Sequence, residues 1–179
     1  MDASIVARRI AQAQATGSSA QYAVPGRYRF SVDAIKFKDG HRGLSAIAEL
    51  RVITAEQTDP TVRPCAVGSV VSFIEKLDDA KKGGPARFKT FLCALVGATD
   101  AELDADRVMS FYDESKAPGF GLLIDGEVFT KTLAPKDGKP SRGIESYRWT
   151  TVDMTDAELG AVEKKRAAAK LPPLSEVLG

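Results

Sequence analysis

The sequence predicts a mainly β protein with flanking helices, an α+β fold built on five strands. Three observations carry that expectation. Between Pro25 and Glu75, three β-patterned runs follow one another, the first two alternating apolar and polar residues as strands with one buried face require. One amphipathic helical pattern separates them from further β-patterned runs between Gly119 and Val152. Outside this stretch, 1–24 reads as a helical arm with a linker and 153–179 as a helix with an apolar tail. At 179 residues, 44% hydrophobic and 27% charged, the chain fits one compact domain, 25–152, with short terminal extensions.

The elements follow in order. Asp2 to Ala15 has Ile5, Val6 and Ile10 at near-helical spacing and ends at Thr16-Gly17-Ser18-Ser19, a helical arm and a link. After Pro25-Gly26, the apolar Tyr28, Phe30, Val32 and Ala34 alternate with Arg27, Arg29, Ser31 and Asp33. At Ile35 the phase shifts, as a bulge would cause, so that Ile35 and Phe37 take the apolar face. Asp39-Gly40 marks a turn that places His41, Arg42 and Gly43 at a hairpin tip. The second strand, Leu44 to Thr54, sets Leu44, Ala46, Ala48, Leu50 and Val52 against Ser45, Glu49 and Arg51. Val67 to Glu75 is almost continuously apolar, as expected of a more deeply buried third strand.

Lys81-Lys82-Gly83-Gly84 reads as a loop, and Pro85 suits a first helical turn, where its missing N–H has no partner to lose. Phe88, Phe91, Leu92, Leu95 and Val96 then mark one helix face, and Gly97 is placed to end it. Thr99-Asp100-Ala101-Glu102-Leu103 recurs letter for letter at Thr155 to Leu159. Thr followed three residues later by Glu is a capping box, so each copy predicts a helix start. Gly119 to Thr132 forms a β region interrupted or turned at Asp125-Gly126, Ala134 to Gly143 a long polar loop, and Ser146 to Val152 the last strand. The second capped helix carries Lys164-Lys165-Arg166 and Lys170 towards its end, as the helix dipole favours, and Pro172-Pro173 stop it.

Charge is uneven although the net is only +1. Segments 27–42, 81–99 and 131–148 together hold 14 of the 25 Lys and Arg residues, whereas 100–114 has six acids and one base. Cys65 and Cys93 form no metal-ligand spacing and His41 is the single histidine, so no zinc site or other metal is expected and no cofactor is implied. Cys93, inside an apolar helical pattern, reads as a structural thiol, and the two cysteines pair only if the fold brings them together. No phosphate-binding Gly-rich loop, Gly-x-Ser-x-Gly or His-Glu-x-x-His is present, and the expectation is a protein that is not an enzyme. Without a signal peptide or a run of ~18 apolar residues the chain reads as cytoplasmic, with no membrane partner.

Basic and aromatic residues lie side by side in Arg27-Tyr28-Arg29-Phe30 and Lys36-Phe37-Lys38. Phosphates attract the cations and unpaired bases stack on rings regardless of sequence, so an exposed surface of this kind binds single-stranded nucleic acid. The same rings also fit a core beneath solvated cations, and both readings stand for Tyr28, Phe30 and Phe37. Five strands with a helix between the third and fourth match a five-stranded OB-like Greek-key barrel with helical terminal arms. Pro25-Gly26-Arg27-Tyr28, Val67-Gly68-Ser69-Val70 and Phe88-Lys89-Thr90-Phe91-Leu92 before Gly97 resemble the phage-encoded single-stranded DNA-binding proteins of the OB-fold type, over roughly 25–152. An acidic C-terminal tail, frequent in such proteins, has no counterpart here.

The resemblance implies sequence-tolerant binding of single-stranded DNA in replication or recombination, in a bacterial host's cytoplasm. The cationic groove is expected from Arg27, Arg29, Lys36, Lys38 and Arg42, with Lys131, Lys136, Lys139, Arg142 and Arg148 on the opposite rim. Phe37, Tyr147 and Trp149 are expected to include a base-stacking residue, with Phe73, Phe88 and Phe91 in the core. Leu171, Leu174, Val177 and Leu178 predict an apolar contact surface and a homo-oligomer, or else a cap over the chain's own barrel. The alternative function is a virion structural or assembly protein whose arms grip neighbouring subunits.

Overall fold

The computed structural model describes residues 21–41, 43–78, 83–135 and 140–178; of the arm and linker expected at 1–24, residues 1–20 lie outside them. Five antiparallel strands form one open sheet in the order β3-β2-β1-β4-β5: β1 Gly26–Lys38, β2 Ser45–Glu56, β3 Val70–Lys76, β4 Leu123–Leu133 and β5 Arg142–Thr151. Helix α1, Gly84–Val96, joins β3 to β4 together with the short α2, Ala105–Ser110. The helices α3, Asp156–Ala168, and α4, Leu174–Leu178, follow β5. Each pairing is antiparallel, so the two edge strands, β3 and β5, run in the same direction.

Period-two alternation builds the core. Tyr28, Phe30 and Val32 of β1, Ala46, Ala48, Leu50 and Val52 of β2, and Ile124 and Val128 of β4 are all buried on one face, and Phe88, Phe91, Leu92 and Leu95 of α1 close over it. The phase shift in β1 lies between Val32 and Ala34, with a second between Arg29 and Phe30. Gly97 ends α1 in the left-handed region, φ 64°, where glycine has no Cβ penalty. Cys65 and Cys93 are both free thiols.

Three expectations are corrected. β3 is an edge strand rather than a deeply buried one: Val71, Phe73 and Glu75 are buried, but Val70 is exposed, because β2 covers only one of its sides. Val67 to Ser69 belong to the preceding turn, closed by Ser69 N–H donating to Ala66 O at 3.1 Å. Asp125-Gly126 does not turn the chain, since β4 passes straight through it. A Cβ at Gly126 would come within 2.8 Å of the Trp149 ring, so this glycine admits the indole.

The third correction concerns the repeated pentapeptide. In both copies the Glu reaches back, Glu102 accepting from Thr99 N–H at 2.8 Å and Glu158 from Thr155 N–H at 2.8 Å, but only Thr155 completes the box by accepting from Glu158 N–H at 3.3 Å, whereas Glu102 N–H turns to the Thr99 carbonyl. Only Thr155 caps a helix, α3. After Leu103, Asp104 takes Arg107 N–H at 2.9 Å and starts α2 anew, the local competition for backbone that favours Asp at caps. Hydrogen bonds from Thr155 hold the Glu158 carboxyl below its ordinary pKa of 4.5. A depressed carboxylate contributes stability above its unfolded pKa and loses it as pH falls through the folded one. The melting-temperature gap between wild type and Glu158→Gln is therefore expected to shrink as pH falls from 7 to 3; a gap constant over that range would remove the charge from the cap.

The C-terminal tail was expected either to form a contact surface or to cap the chain's own fold. Val177 is buried and Leu174 and Leu178 pack against the core, so these three residues follow the second course. Arg166, with none of its surface exposed, secures this arrangement. It donates to Pro172 O at 2.7 Å, Ala117 O at 2.8 Å, Lys116 O at 2.8 Å and Phe120 O at 3.4 Å. Burial lowers its pKa from the ordinary guanidinium value. Four carbonyl dipoles stand where a carboxylate would otherwise be required. No helix among the described residues is long and apolar enough to cross a membrane.

Candidate nucleic-acid interface

The same alternation that builds the core separates the expected cations from the expected rings. In β1, Tyr28 and Phe30 point inward, 3% and 0% exposed, while Arg27 and Arg29 point outward. Tyr147-Arg148-Trp149 divides in the same way: the two rings line the inner side of β5 and Arg148 is exposed on the other. Burial pushes the Tyr28 hydroxyl up to about 12, and it donates to Val24 O at 2.8 Å while accepting from Cys65 N–H at 3.2 Å. The open reading for Tyr28 and Phe30 closes on the core.

The structure brings three of the expected cations to one place. Arg27 and Arg29 from β1 and Arg148 from β5 line a concavity of about 350 Å3 on the outer face, with Thr54, Glu56, Asp125, Glu127 and Thr150. Register explains it, because Arg27 lies opposite Glu127, Arg29 opposite Asp125, and Glu127 opposite Arg148 across β1, β4 and β5. Every one of the three is ion-paired. Arg29 grips Asp125 through two bonds of 2.8 and 3.0 Å, which raise its pKa. Glu127 lies 2.6 Å from Arg148 and 3.7 Å from Arg27. Three arginines meet three carboxylates, so the concavity carries no net charge.

The remaining expected residues lie elsewhere. Lys36, paired with Glu49 at 2.9 Å, and the exposed Lys38 sit at the hairpin end of β1, seven or more residues from Arg29, about 23 Å along a strand. Lys131 is exposed on β4; it and Lys38 have no carboxylate partner among the described residues. Arg42, Lys136, Lys139 and the Arg142 side chain lie outside the described residues.

The rings gather at the inner surface. Phe37 is stacked on Tyr112, centroids 3.7 Å apart and planes 9° from parallel, with its edge against Phe88. Trp149 packs against Phe30, Phe73 and Phe91 at 6.1, 5.0 and 5.1 Å and stacks on Tyr147 at 5.2 Å. Phe73, Phe88 and Phe91 are buried, as expected. Tyr147 and Trp149 also face a second cavity of about 750 Å3 between the β3 and β5 edges, bordered by Tyr22, Leu133 and Ile144 and by the Glu75 and Arg87 pair of 2.6 Å. Burial raises the Tyr147 pKa.

Sequence reasoning missed Phe129. It lies on the outer face of β4, half-buried, with the Arg148 guanidinium 5.4 Å above its ring. The signal was available: Asp125, Glu127, Phe129 and Lys131 alternate at period two, which an assumed turn at Asp125-Gly126 concealed. No protein-family model and no curated protein matches this chain.

Proposed function

We propose that the open sheet is an OB-like Greek-key barrel parted along one seam, and that the protein binds single-stranded DNA with little sequence preference, as a protecting coat in replication or recombination. The strand order supports the barrel: bringing β3 to β5 would close a ring β1-β2-β3-β5-β4, and Phe73 already reaches Tyr147 at 4.9 Å across that seam. The observation that carries the binding reading is the convergence of Arg27, Arg29 and Arg148 on one solvent-open concavity, beside Phe129. Guanidinium forks hold phosphate oxygens in pairs, and a ring under an arginine offers a face for a base.

Titration of fluorescent oligonucleotides of several sequences at low salt tests this. Replacing Arg27 and Arg29 together with Ala is expected to weaken binding by roughly tenfold, about 1.4 kcal/mol, and about equally for every sequence, as loss of phosphate contacts should. Absence of binding by the wild type at low salt, or unchanged affinity in the double variant, would overturn the assignment of this face.

A further inference from the structure

We propose that Asp125 and Glu127 are specificity residues of the arginine face, internal stand-ins for phosphate that make strand uptake an exchange of anions and favour single strands over duplex. This rests on the reading above. The geometry is that of an occupied anion site. Asp125 takes the Arg29 fork through Nε and Nη2 at 2.8 and 3.0 Å, the bidentate arrangement that a phosphate also accepts. Glu127 sits in the middle of a three-strand row, between Arg27 of β1 and Arg148 of β5, where a single bridging phosphate would contact both. These side chains are 28–69% exposed, so the pairs open to solvent and exchange is cheap.

Two consequences follow from exchange. A carboxylate displaced by a phosphate stays beside the strand and keeps there a cation that neutralisation of the phosphate would otherwise release, so the salt dependence of binding is shallower than the number of arginines engaged implies. The displaced carboxylates stay on β4 beside the bound strand and repel its phosphates. Duplex DNA carries one charge per ~1.7 Å of axis against ~3.4 Å for one strand, so this repulsion falls hardest on the duplex.

The test compares Glu127→Gln with Glu56→Gln in the full chain, using single-stranded and duplex oligonucleotides over a range of salt. Each variant removes one carboxylate from the same concavity, but only the first unpairs arginines. Glu127→Gln is expected to tighten single-strand binding about two- to fivefold, the worth of exposed pairs that need no longer break. It is also expected to tighten duplex binding by more, and to steepen the salt slope by about 0.7 for each arginine freed. Asp125→Asn should act in the same direction, and unchanged melting temperatures confirm that both variants fold.

An equal gain from Glu56→Gln would show ordinary charge removal and overturn the proposal, as would a wild type that binds with no gain in Glu127→Gln. Binding by Glu127→Gln alone, with none by the wild type, would support it. Binding by neither protein would sink both this proposal and the functional reading, which is how the two failures are told apart.

Discussion

Replacing Arg166 with alanine is expected to destabilise the protein by about 4 kcal/mol, the range for removing one partner from a buried charged network. Its guanidinium is the common donor to the 116–120 loop and to Pro172 in the tail. Among its acceptors is Ala117, whose φ of 40° is a left-handed conformation costing about 1 kcal/mol for a residue with a Cβ. For a chain of this size 1 kcal/mol shifts the melting point by about 2–4 °C, so a fall of about 8–16 °C is expected. Arg166→Lys should recover little, since an ammonium cannot span acceptors that a planar fork reaches. A chain ending at Lys170 should also be less stable, with the same particle mass by light scattering as the intact chain. A melting point within 2 °C of wild type for Arg166→Ala, or a truncated chain that becomes a stable monomer from a dimer, would refute this account of the tail.

Trp149→Ala is expected to cost about 3 kcal/mol, within the range for truncating a large core aromatic. The indole touches rings on β1, β3, β5 and α1 and fills the space that Gly126 leaves. Loss of this contact should loosen the β3 and β5 edges together. As the chain's single tryptophan, Trp149 reports directly: its emission should be that of a partly buried indole and should change little when oligonucleotide binds to the outer face. A Trp149→Ala protein of wild-type stability with lost oligonucleotide affinity would make the indole a base-stacking residue and move the site to the inner cavity.

What was legible in the sequence is what short-range periodicity encodes. Alternation in β1 and β2, the Phe88 to Leu95 helix face and the Gly97 cap required no tertiary knowledge. Adjacent basic and aromatic letters misled for the same reason: in a strand, neighbours point to opposite faces, so Arg27-Tyr28-Arg29-Phe30 describes a buried strand with a charged back. Partners distant along the chain were illegible. Arg166 read as one more cation in the basic end of a helix, yet it is buried by loops about 50 residues away. Arg29 read as a free phosphate ligand, because nothing local announces Asp125, 96 residues on. Glu75 lies inside an apolar run and is rescued by Arg87 from the following helix. The candidate site was thus half legible: its arginines were visible, and the carboxylates that govern them were not.

The gap between the β3 and β5 edges of the open sheet bears on aggregation. An unpaired strand edge is a template onto which another chain can add, the usual first step of sheet aggregation. Here both edges turn toward one another across a cavity bridged by Phe73, Tyr147 and Trp149. A foreign strand adding to β3 would also have to displace the Gln21 carbonyl, which already accepts from Ser72 N–H at 2.8 Å, so the residues that lead into β1 occupy part of that adhesive border.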